Sequence, residues 1–571
     1  MSIPRRPTAR LRLPSPFPAA AERALKALRA ADPSWARSLG DPAAPGWFFD
    51  DRSPEGDGRR TALYRRALHE AEGAAPARAT PDEAVDRDVL RARAAALLWR
   101  TADLRPQTWN PVAHDPAAAL AGLLDDVRLP EAEYRDAVLA AALEIPGHTG
   151  ALLARLEKGP GVPPAHLTAA MRVGEHLETE LESRVRVVLS PASAAPGERT
   201  TALMACHRVA SAARGHILFA AHGLAQRRAA GPRVPEHRLG GSYTDLLRHT
   251  LDTGPDAVEA PTDAEKALEQ AEEEVADAAA RLCDRAPHAG QVEEALAGLA
   301  ADPVEWGSAH GETRRALDHA HARLAELGLV PAGPPPDLVP PRGEHPSPLR
   351  LDPPRPLAED AGARRPLLVS GTPPAPDADP VARLDHRARH HRHDLRLRVT
   401  RLVARAQALT CAPSPADGAP PVRALLPAPL FVLGWEAHAA DELARRGWSG
   451  GGPGDAEGVR ADRALRLLAA LDRLRDALAA VVEVRLHTGD LTEPEAIGML
   501  TVRGHHDVEE ADRIWQGVRT AVFPAAARYI ARRETAALLA DLSRARPGAG
   551  PRALLAHGPL APRHLRTLLG L

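Results

Sequence analysis

The spacing of apolar residues constrains this chain more than any other feature of its sequence. Apolar side chains recur at intervals of three and four residues, which is the pattern of helices that bury one face. The longest such segments are 22–31, 86–98, 131–143, 167–186, 263–282, 313–327, 381–408, 431–446, 460–486 and 509–542. Alanine, leucine, arginine and glutamate are also good helix formers, so the sequence predicts a mainly α fold.

Prolines break this pattern most densely at 331–376, where proline pairs and a triplet exclude a helix. Within it, residues 366–372 (PLLVSGT) have the composition of a strand, which we expect at the edge of at most a small β-sheet. The predicted organisation is a disordered arm at 1–20, a helical region at 21–330, a proline-rich connector at 331–380 and a second helical region at 381–571.

Composition excludes several classes of function. The 73 basic and 75 acidic side chains leave a net charge of -2, which gives no electrostatic case for nucleic acid or an anionic membrane. Three separated cysteines (Cys206, Cys283 and Cys411) predict no disulfide framework, so a cytoplasmic location is expected. No run reaches the roughly 18 apolar residues that span a bilayer. The sequence has no glycine pattern typical of nucleotide-binding sites, so we expect no nucleotide cofactor.

Short phrases along the chain carry a resemblance to one protein family. They are 32–41 (DPSWARSLGD), 86–90 (DRDVL), 109–111 (WNP), 238–248 (RLGGSYTDLLR), 434–439 (GWEAHA), 474–489 (LRDALAAVVEVRLHTG), 491–497 (LTEPEAI) and 524–529 (PAAARY). In these phrases the chain resembles the bacterial domain-of-unknown-function 885 family, most strongly in its C-terminal part. The resemblance implies a large helical body of the zincin metallopeptidase type, with a deep central cleft.

The family's zinc motif, HExxPGHH followed by a glutamate on a later helix, is eroded in this chain. The matching segment is 384–393 (LDHRARHHRH), in which Leu384 replaces the first histidine and Asp385 the catalytic glutamate. Leu433 replaces the later glutamate. Because aliphatic side chains cannot coordinate zinc, the resemblance implies a scaffold without its zinc site.

A second register keeps a metal site open as an alternative. His386 and His390 lie four residues apart, so both would face one side of a helix. Glu436 or His438, on the next motif helix, would supply a third ligand. However, Arg387 occupies the position of the catalytic base, and a fixed cation would repel the metal. A solvated helix face rich in arginine and histidine is therefore favoured over this alternative.

Other positions of the resemblance are altered or retained. Asp476 and Ala479 replace a pair of arginines, and Arg485 replaces a glycine. His487 and, with an offset of one residue, Tyr529 are retained. The phrase 144–148 (EIPGH) superficially echoes the zinc motif, but no histidine precedes its glutamate, so we expect a structural role.

These observations support three hypotheses. The first is an enzyme that acts without metal on a small, anionic molecule in a cleft. Its predicted catalytic residues are Asp385, His390, His487 and Tyr529, and its predicted binding residues are Arg387, Arg389, Trp435, Glu436, His438 and Arg485. The second is a pseudoenzyme that binds or scaffolds without catalysis. The third is a metal-dependent hydrolase, with zinc held by His386, His390 and Glu436.

Overall fold

Helices dominate the structure and confirm the predicted mainly α class. The computed structural model describes residues 16–46, 48–73, 79–114, 116–190, 200, 204, 236–253, 263–343, 347–373, 390–413, 420–449, 456–489, 491–521 and 523–571. Its α-helices are α1 (Phe17–Ala31), α2 (Pro33–Ser38), α3 (Pro54–Gly73), α4 (Pro81–Trp99), α5 (Pro116–Leu124), α6 (Glu131–Glu157), α7 (Pro164–Glu180), α8 (Arg186–Val188), α9 (Ser242–Leu251), α10 (Ala264–Cys283), α11 (Gln291–Ala300), α12 (Ala309–Glu326), α13 (Arg392–Thr410), α14 (Val422–Leu425), α15 (Pro429–Arg446), α16 (Ala456–Thr488), α17 (Glu493–Gly498), α18 (Val508–Thr520), α19 (Ala527–Ala545), α20 (Arg552–Leu555) and α21 (Pro562–Leu569).

Short helical turns connect several of these elements. Three π-helical turns, Arg100–Leu104, Leu181–Val185 and Met499–Arg503, each directly follow an α-helix. The 3₁₀ turns are Pro106–Thr108, Pro111–His114 and Trp306–Ser308.

Some predicted boundaries differ from the structure. Helix α1 begins at Phe17, so the last part of the predicted arm 1–20 is helical; Phe17, Leu25 and Leu28 bury its apolar face. The predicted helix 509–542 is two helices, α18 and α19, with Pro524 between them. Proline has no backbone N–H and clashes with the preceding turn, so a helix cannot continue through it without a break.

The sheet corrects the prediction of an edge strand. Three strands, β1 (Asp337–Val339), β2 (Arg350–Asp352) and β3 (Leu367–Val369), pair in the order β1-β3-β2. β3 is therefore the central strand, parallel to β1 and antiparallel to β2. Its Leu368 and Val369 are buried, which suits an apolar run that has a paired strand on each side.

Arginine side chains hold the proline-rich segment in place. Prolines offer no N–H, so the carbonyl groups around them need donors from elsewhere. The guanidinium of Arg128 donates to the carbonyl oxygens of Ala363 (3.2 Å) and Arg365 (2.7 Å) and is paired with Asp352. One side chain from the loop before α6 thus anchors this segment.

One large hydrophobic core runs from Phe17 to Leu569 and joins helices of both predicted helical regions. Helix α10 packs along α16, α13 packs on α15, and α15 packs on α19. A second, smaller core holds α5, α6 and α7 together around Leu120, Val138 and Leu181.

Helix α6 is the one helix of the described residues that is long and apolar enough to cross a membrane. Its most apolar window has a mean hydropathy of 1.4. Length and composition alone make this weak support for a membrane span, since core helices share both properties. Val138, Ala141 and Ile145 of α6 are buried in the smaller core.

The contact between α15 and α19 depends on a glycine. A Cβ atom at Gly434 would lie 2.7 Å from the carbonyl oxygen of Ala531 and would also overlap the Thr535 hydroxyl. The backbones of the two helices therefore approach too closely for any side chain at this position.

We expect Gly434→Ala to destabilise the protein by about 1–3 kcal/mol, the usual cost of overpacking. Urea denaturation measures this change. Gly122→Ala is the matched control, because Gly122 lies in α5 with open space at its Cβ position. There the helix-forming preference of alanine stabilises by up to about 1 kcal/mol. Equal effects of the two changes would contradict the close approach.

Candidate functional site

Of the eroded segment 384–393, the structure describes residues 390–393, which lie at the start of α13. Residues 384–389, with Leu384, Asp385, His386, Arg387 and Arg389, lie outside the described residues, so the predictions on them stay predictions. His391 caps the helix, since its Nδ1 accepts from the backbone N–H of Asp394 (3.2 Å). His390 therefore precedes the helix, which corrects the expectation of a helix running through 390–391.

A pocket of about 260 Å³ lies between this helix start and the sheet. Its walls are residues 347–349 and 371–373, Val304, the start of α12 (Ala309 and Thr313), and His390, Asp394, Leu395 and Arg398. Residues 347 and 372 form a β-bridge that fixes the strand side of the pocket. The Ser347 hydroxyl is buried and has no hydrogen-bond partner among the described residues.

Three charged or titratable groups meet in this pocket. Asp394 lies 2.6 Å from the Arg398 guanidinium, one helical turn along α13, and 3.9 Å from His390 Nδ1. Burial alone would raise the pKa of the Asp394 carboxyl, but His390, Arg398 and His391 outweigh it and lower this pKa. The carboxylate therefore stays ionised near the imidazole, at a distance that must shorten before it can orient the histidine through a hydrogen bond.

The other predicted catalytic residues lie outside this pocket. His487, near the end of α16, stacks on Tyr243 with ring centres 5.1 Å apart, and its Nδ1 faces the backbone N–H of Leu239 (3.4 Å). Burial, helped by His237 and Arg238, lowers the pKa of His487 to about 4. Its imidazole is neutral at physiological pH and holds the backbone before α9.

Tyr529 and Arg485 lie in two further places. Tyr529 is buried in the first turn of α19, and burial raises its pKa. Arg485 reaches the sulfur of Met499, with Nη1 and Sδ 3.5 Å apart. Tyr529, Arg485 and His487 do not line the pocket that contains His390.

Glu483 connects several phrases of the family resemblance. Its carboxylate accepts from the backbone N–H groups of Ala525 (2.8 Å) and Ala526 (2.9 Å) and from the Tyr243 hydroxyl (2.8 Å). Gly240 also donates from its backbone N–H to the carbonyl oxygen of His487. Phrases near 240, 485 and 525 of the sequence therefore meet at one buried point.

The predicted binding residues of α15 point into the interior. Trp435 is 1% exposed and Glu436 is 2% exposed. Burial lowers the pKa of the His438 imidazole. His438 is half-buried, and none of the three side chains lines the pocket of His390.

A buried network of charges surrounds Glu436 and joins four helices. Glu436 lies 2.7 Å from Arg405 of α13 and 2.6 Å from Arg528 of α19. Asp476 of α16 lies 3.0 Å from both Arg528 and Arg532 of α19. We call these five residues the central network.

The geometry separates the alternative metal ligands. Glu436 meets α13 at Arg405, 13 residues after the helix begins at Arg392, which is about 20 Å along its axis. His390 precedes that beginning, and an arginine side chain spans only part of the distance. Glu436 and His390 therefore cannot share one metal ion, and the described residues contain no group of three ligands suited to a metal. His386 lies outside the described residues.

The phrase 144–148 has the structural role that we expected. It lies inside α6, and the Glu144 carboxylate accepts from the backbone N–H groups of Phe48 (2.7 Å) and Phe49 (2.8 Å). His148 packs on the Phe49 ring.

Sequence reasoning missed Arg398, Asp394 and Ser347 in the pocket and Arg528 and Arg532 in the central network. For Asp394 and Arg398, spacing i, i+4 on a helix was an available signal. Ser347 and the arginines of α19 gave none, because the residues that surround them are distant in the sequence.

This fold, with its helical body and small three-stranded sheet, is that of a class known from solved structures. A lipoprotein candidate of unknown function from Shewanella oneidensis superposes with a TM-score of 0.74 at 14% identity, covering 98% of this chain and 100% of the other. A lipoprotein candidate from Colwellia psychrerythraea superposes with a TM-score of 0.74 at 11% identity, covering 98% and 99%. These likenesses show the shared fold alone.

The chain belongs to the bacterial family of proteins of unknown function called DUF885, whose model matches residues 33–335. This confirms the family resemblance. The match ends before the eroded segment 384–393 and therefore does not include the C-terminal phrases, in which the sequence resemblance is strongest. No curated protein matches the sequence.

We expect Asp476→Asn to destabilise the protein by about 1.5–3 kcal/mol, the scale of hydrogen bonds to charged groups, because Arg528 and Arg532 each lose one of two carboxylates and keep the other, Glu436 or Asp441. Burial opposes ionisation of Asp476, but Arg532, Arg528 and Arg401 outweigh it and lower its pKa. Its contribution is therefore present above the unfolded pKa of about 3.9 and is lost as the pH falls through the folded value.

Urea denaturation between pH 3 and pH 7 measures both effects, and the variant should show a flatter acid limb than the wild type. Glu442→Gln is the control, since Glu442 pairs with the exposed Arg445 and Arg446. Such surface pairs contribute up to about 1 kcal/mol. Similar losses in the two variants would contradict a stabilising central network.

Proposed function

We propose that this protein is an enzyme that acts on a small polar molecule in the pocket of His390, by acid–base chemistry that needs no zinc. The observation that carries the proposal is the meeting of His390, Asp394 and Arg398 around one pocket of about 260 Å³. Leu384 and Leu433, at two positions where the family resemblance implies zinc ligands, support chemistry without that metal.

In this proposal His390 accepts or donates the proton and Asp394 orients its imidazole. Arg398 keeps Asp394 ionised and offers donors to an anionic part of the substrate. Ser347 supplies a hydroxyl on the opposite wall. Arg398 therefore takes the binding role that the sequence analysis gave to Arg485, while Asp385, Arg387 and Arg389 remain predicted members of the same site.

A pseudoenzyme is the second candidate, and the central network favours it. Glu436 and Asp476 are fully engaged with arginines in the interior. Charges that are neutralised within the protein are not available to a substrate. This candidate predicts that the pocket binds ligands without turning them over.

The test is turnover of a panel of chromogenic acyl esters, phosphate esters and lactones, with and without EDTA. We expect turnover of at least one class, unchanged by EDTA and reduced at least about 100-fold in His390→Gln, the usual scale of general acid–base catalysis. Asp394→Asn should lower kcat more than it raises KM, because it acts by orienting His390.

His288→Gln is the control, because His288 is an exposed imidazole outside the pocket. Turnover that requires zinc would overturn the proposal. So would full activity of His390→Gln. Saturable binding of a panel compound at this pocket without turnover of any would favour the pseudoenzyme.

We propose a cytoplasmic location, on the basis of the separated cysteines. The description of both solved neighbours as lipoprotein candidates points weakly to the membrane instead. Fractionation of cells that produce the native chain should recover it in the soluble cytoplasmic fraction. Recovery with membranes, and release only by detergent, would contradict this location.

A further inference from the structure

A second cavity, of about 320 Å³, lies between α3, α4 and α9 and is lined by four arginines. They are Arg52, Arg60, Arg93 and Arg100, and only two carboxylates, Asp32 and Asp57, line the same cavity. The walls therefore carry a surplus of two positive charges. We call this cavity the arginine cleft.

Two of the four arginines are already paired. Arg52 lies 2.8 Å from Asp50, and Arg60 lies 2.7 Å from Asp57. Their charges are compensated within the protein, that of Arg52 by a carboxylate outside the lining. Asp32 is then the lining carboxylate whose charge acts on Arg93 and Arg100, so these three groups together carry one net positive charge.

The guanidinium groups of Arg93 and Arg100 make no hydrogen bond or ion pair with any residue that the structure describes. They lie seven positions apart, near and just beyond the end of α4, so they share one helix face. Ala96 lies between them on this face and also lines the cleft. Its small side chain leaves the space between the two guanidinium groups open.

Both guanidinium groups are solvent-accessible and yet poorly solvated. Each residue is exposed, because the cleft admits solvent. Nevertheless, the surrounding protein displaces bulk water, and this burial lowers the pKa of Arg93 and of Arg100. For Arg100, the charges of Arg52 and Arg93 lower the pKa further. An anion between them would relieve both the lost solvation and the repulsion.

The backbone at Arg100 is irregular. The π-helical turn Arg100–Leu104 is followed by Arg105 in the left-handed region, with φ of 50°. Gln107 stabilises the turn, since its side-chain amide donates to the carbonyl oxygen of Thr101 (3.1 Å). Such turns and left-handed residues are uncommon and concentrate at functional sites.

Aromatic rings form another wall of the cleft. Trp99 stacks on His249 with ring centres 4.9 Å apart, and both line the cavity. Phe523 lines it as well and is 46% exposed. The cleft thus combines two neighbouring cationic groups with a flat apolar surface, which is the usual make-up of a small-molecule site.

We propose that the arginine cleft binds a small organic anion, with its carboxylate or phosphoryl oxygens held by Arg93 and Arg100 and its carbon skeleton against Trp99 and His249. Neither Arg93 nor Arg100 lines the pocket of His390. The inference therefore does not depend on the proposed function.

Calorimetric titration of the full chain at low ionic strength tests this, with inorganic phosphate as one probe and succinate as the other. We expect one saturable site per chain, and the tighter probe identifies the anionic group. Arg93→Gln and Arg100→Gln should each weaken binding about tenfold or more, the scale of a lost charge-assisted hydrogen bond.

Arg91→Gln is the matched control. Arg91 lies on the same helix, its side chain is 50% exposed and it faces Asp88 at 3.7 Å. The control should bind like the wild type. Failure of both probes to saturate, or an equal loss in Arg91→Gln, would overturn the inference.

Thermal unfolding separates binding from a purely structural role. Without anion, Arg93→Gln should keep or raise the Tm, because it removes a poorly solvated charge. The tighter probe should raise the Tm of the wild type and leave unchanged the Tm of a variant that carries both Arg93→Gln and Arg100→Gln. If both single variants lower the Tm and no probe stabilises the wild type, the arginines are structural and the inference is wrong.

Discussion

The central network is the interaction on which the arrangement of the C-terminal helices depends. Its carboxylates lie on α15 and α16 and its arginines on α13 and α19. A buried charge without a partner is strongly destabilising, so each helix can occupy only the position in which its charge is met. The need to pair each buried charge keeps Glu436 in the interior. It also fixes α13 through Arg405, and the start of this helix, with His390, then lies beside the sheet.

The family phrases acquire a physical meaning from this arrangement. Glu483 binds the backbone before α19 and the hydroxyl of Tyr243, while His487 holds the backbone before α9. These residues look like catalytic candidates in the sequence because they are polar and match a family pattern. In the structure they hold together segments that are far apart in the chain. This structural role alone explains why these residues match the family pattern, and it involves no chemistry on a substrate.

Periodicity predicted many of the long helices, because a helix is a local structure whose apolar face can be read from a short window, but it missed α3. It could not predict that β3 is central, since its partners β1 and β2 are three-residue strands with no pattern of their own. The sites were harder still. Asp476 and Arg532 are separated by 56 positions, and in the sequence both have the appearance of surface charges.

The role of Arg128 has a consequence for how the family can vary. One planar guanidinium reaches a carboxylate and several carbonyl groups of the proline-rich segment, a geometry that the compact ammonium of lysine cannot reproduce. At this position arginine therefore has a structural role that lysine cannot fill. In lineages whose genomes drift toward A and T, most exposed arginines are free to become lysine, but a relative that keeps this segment should keep arginine at this position.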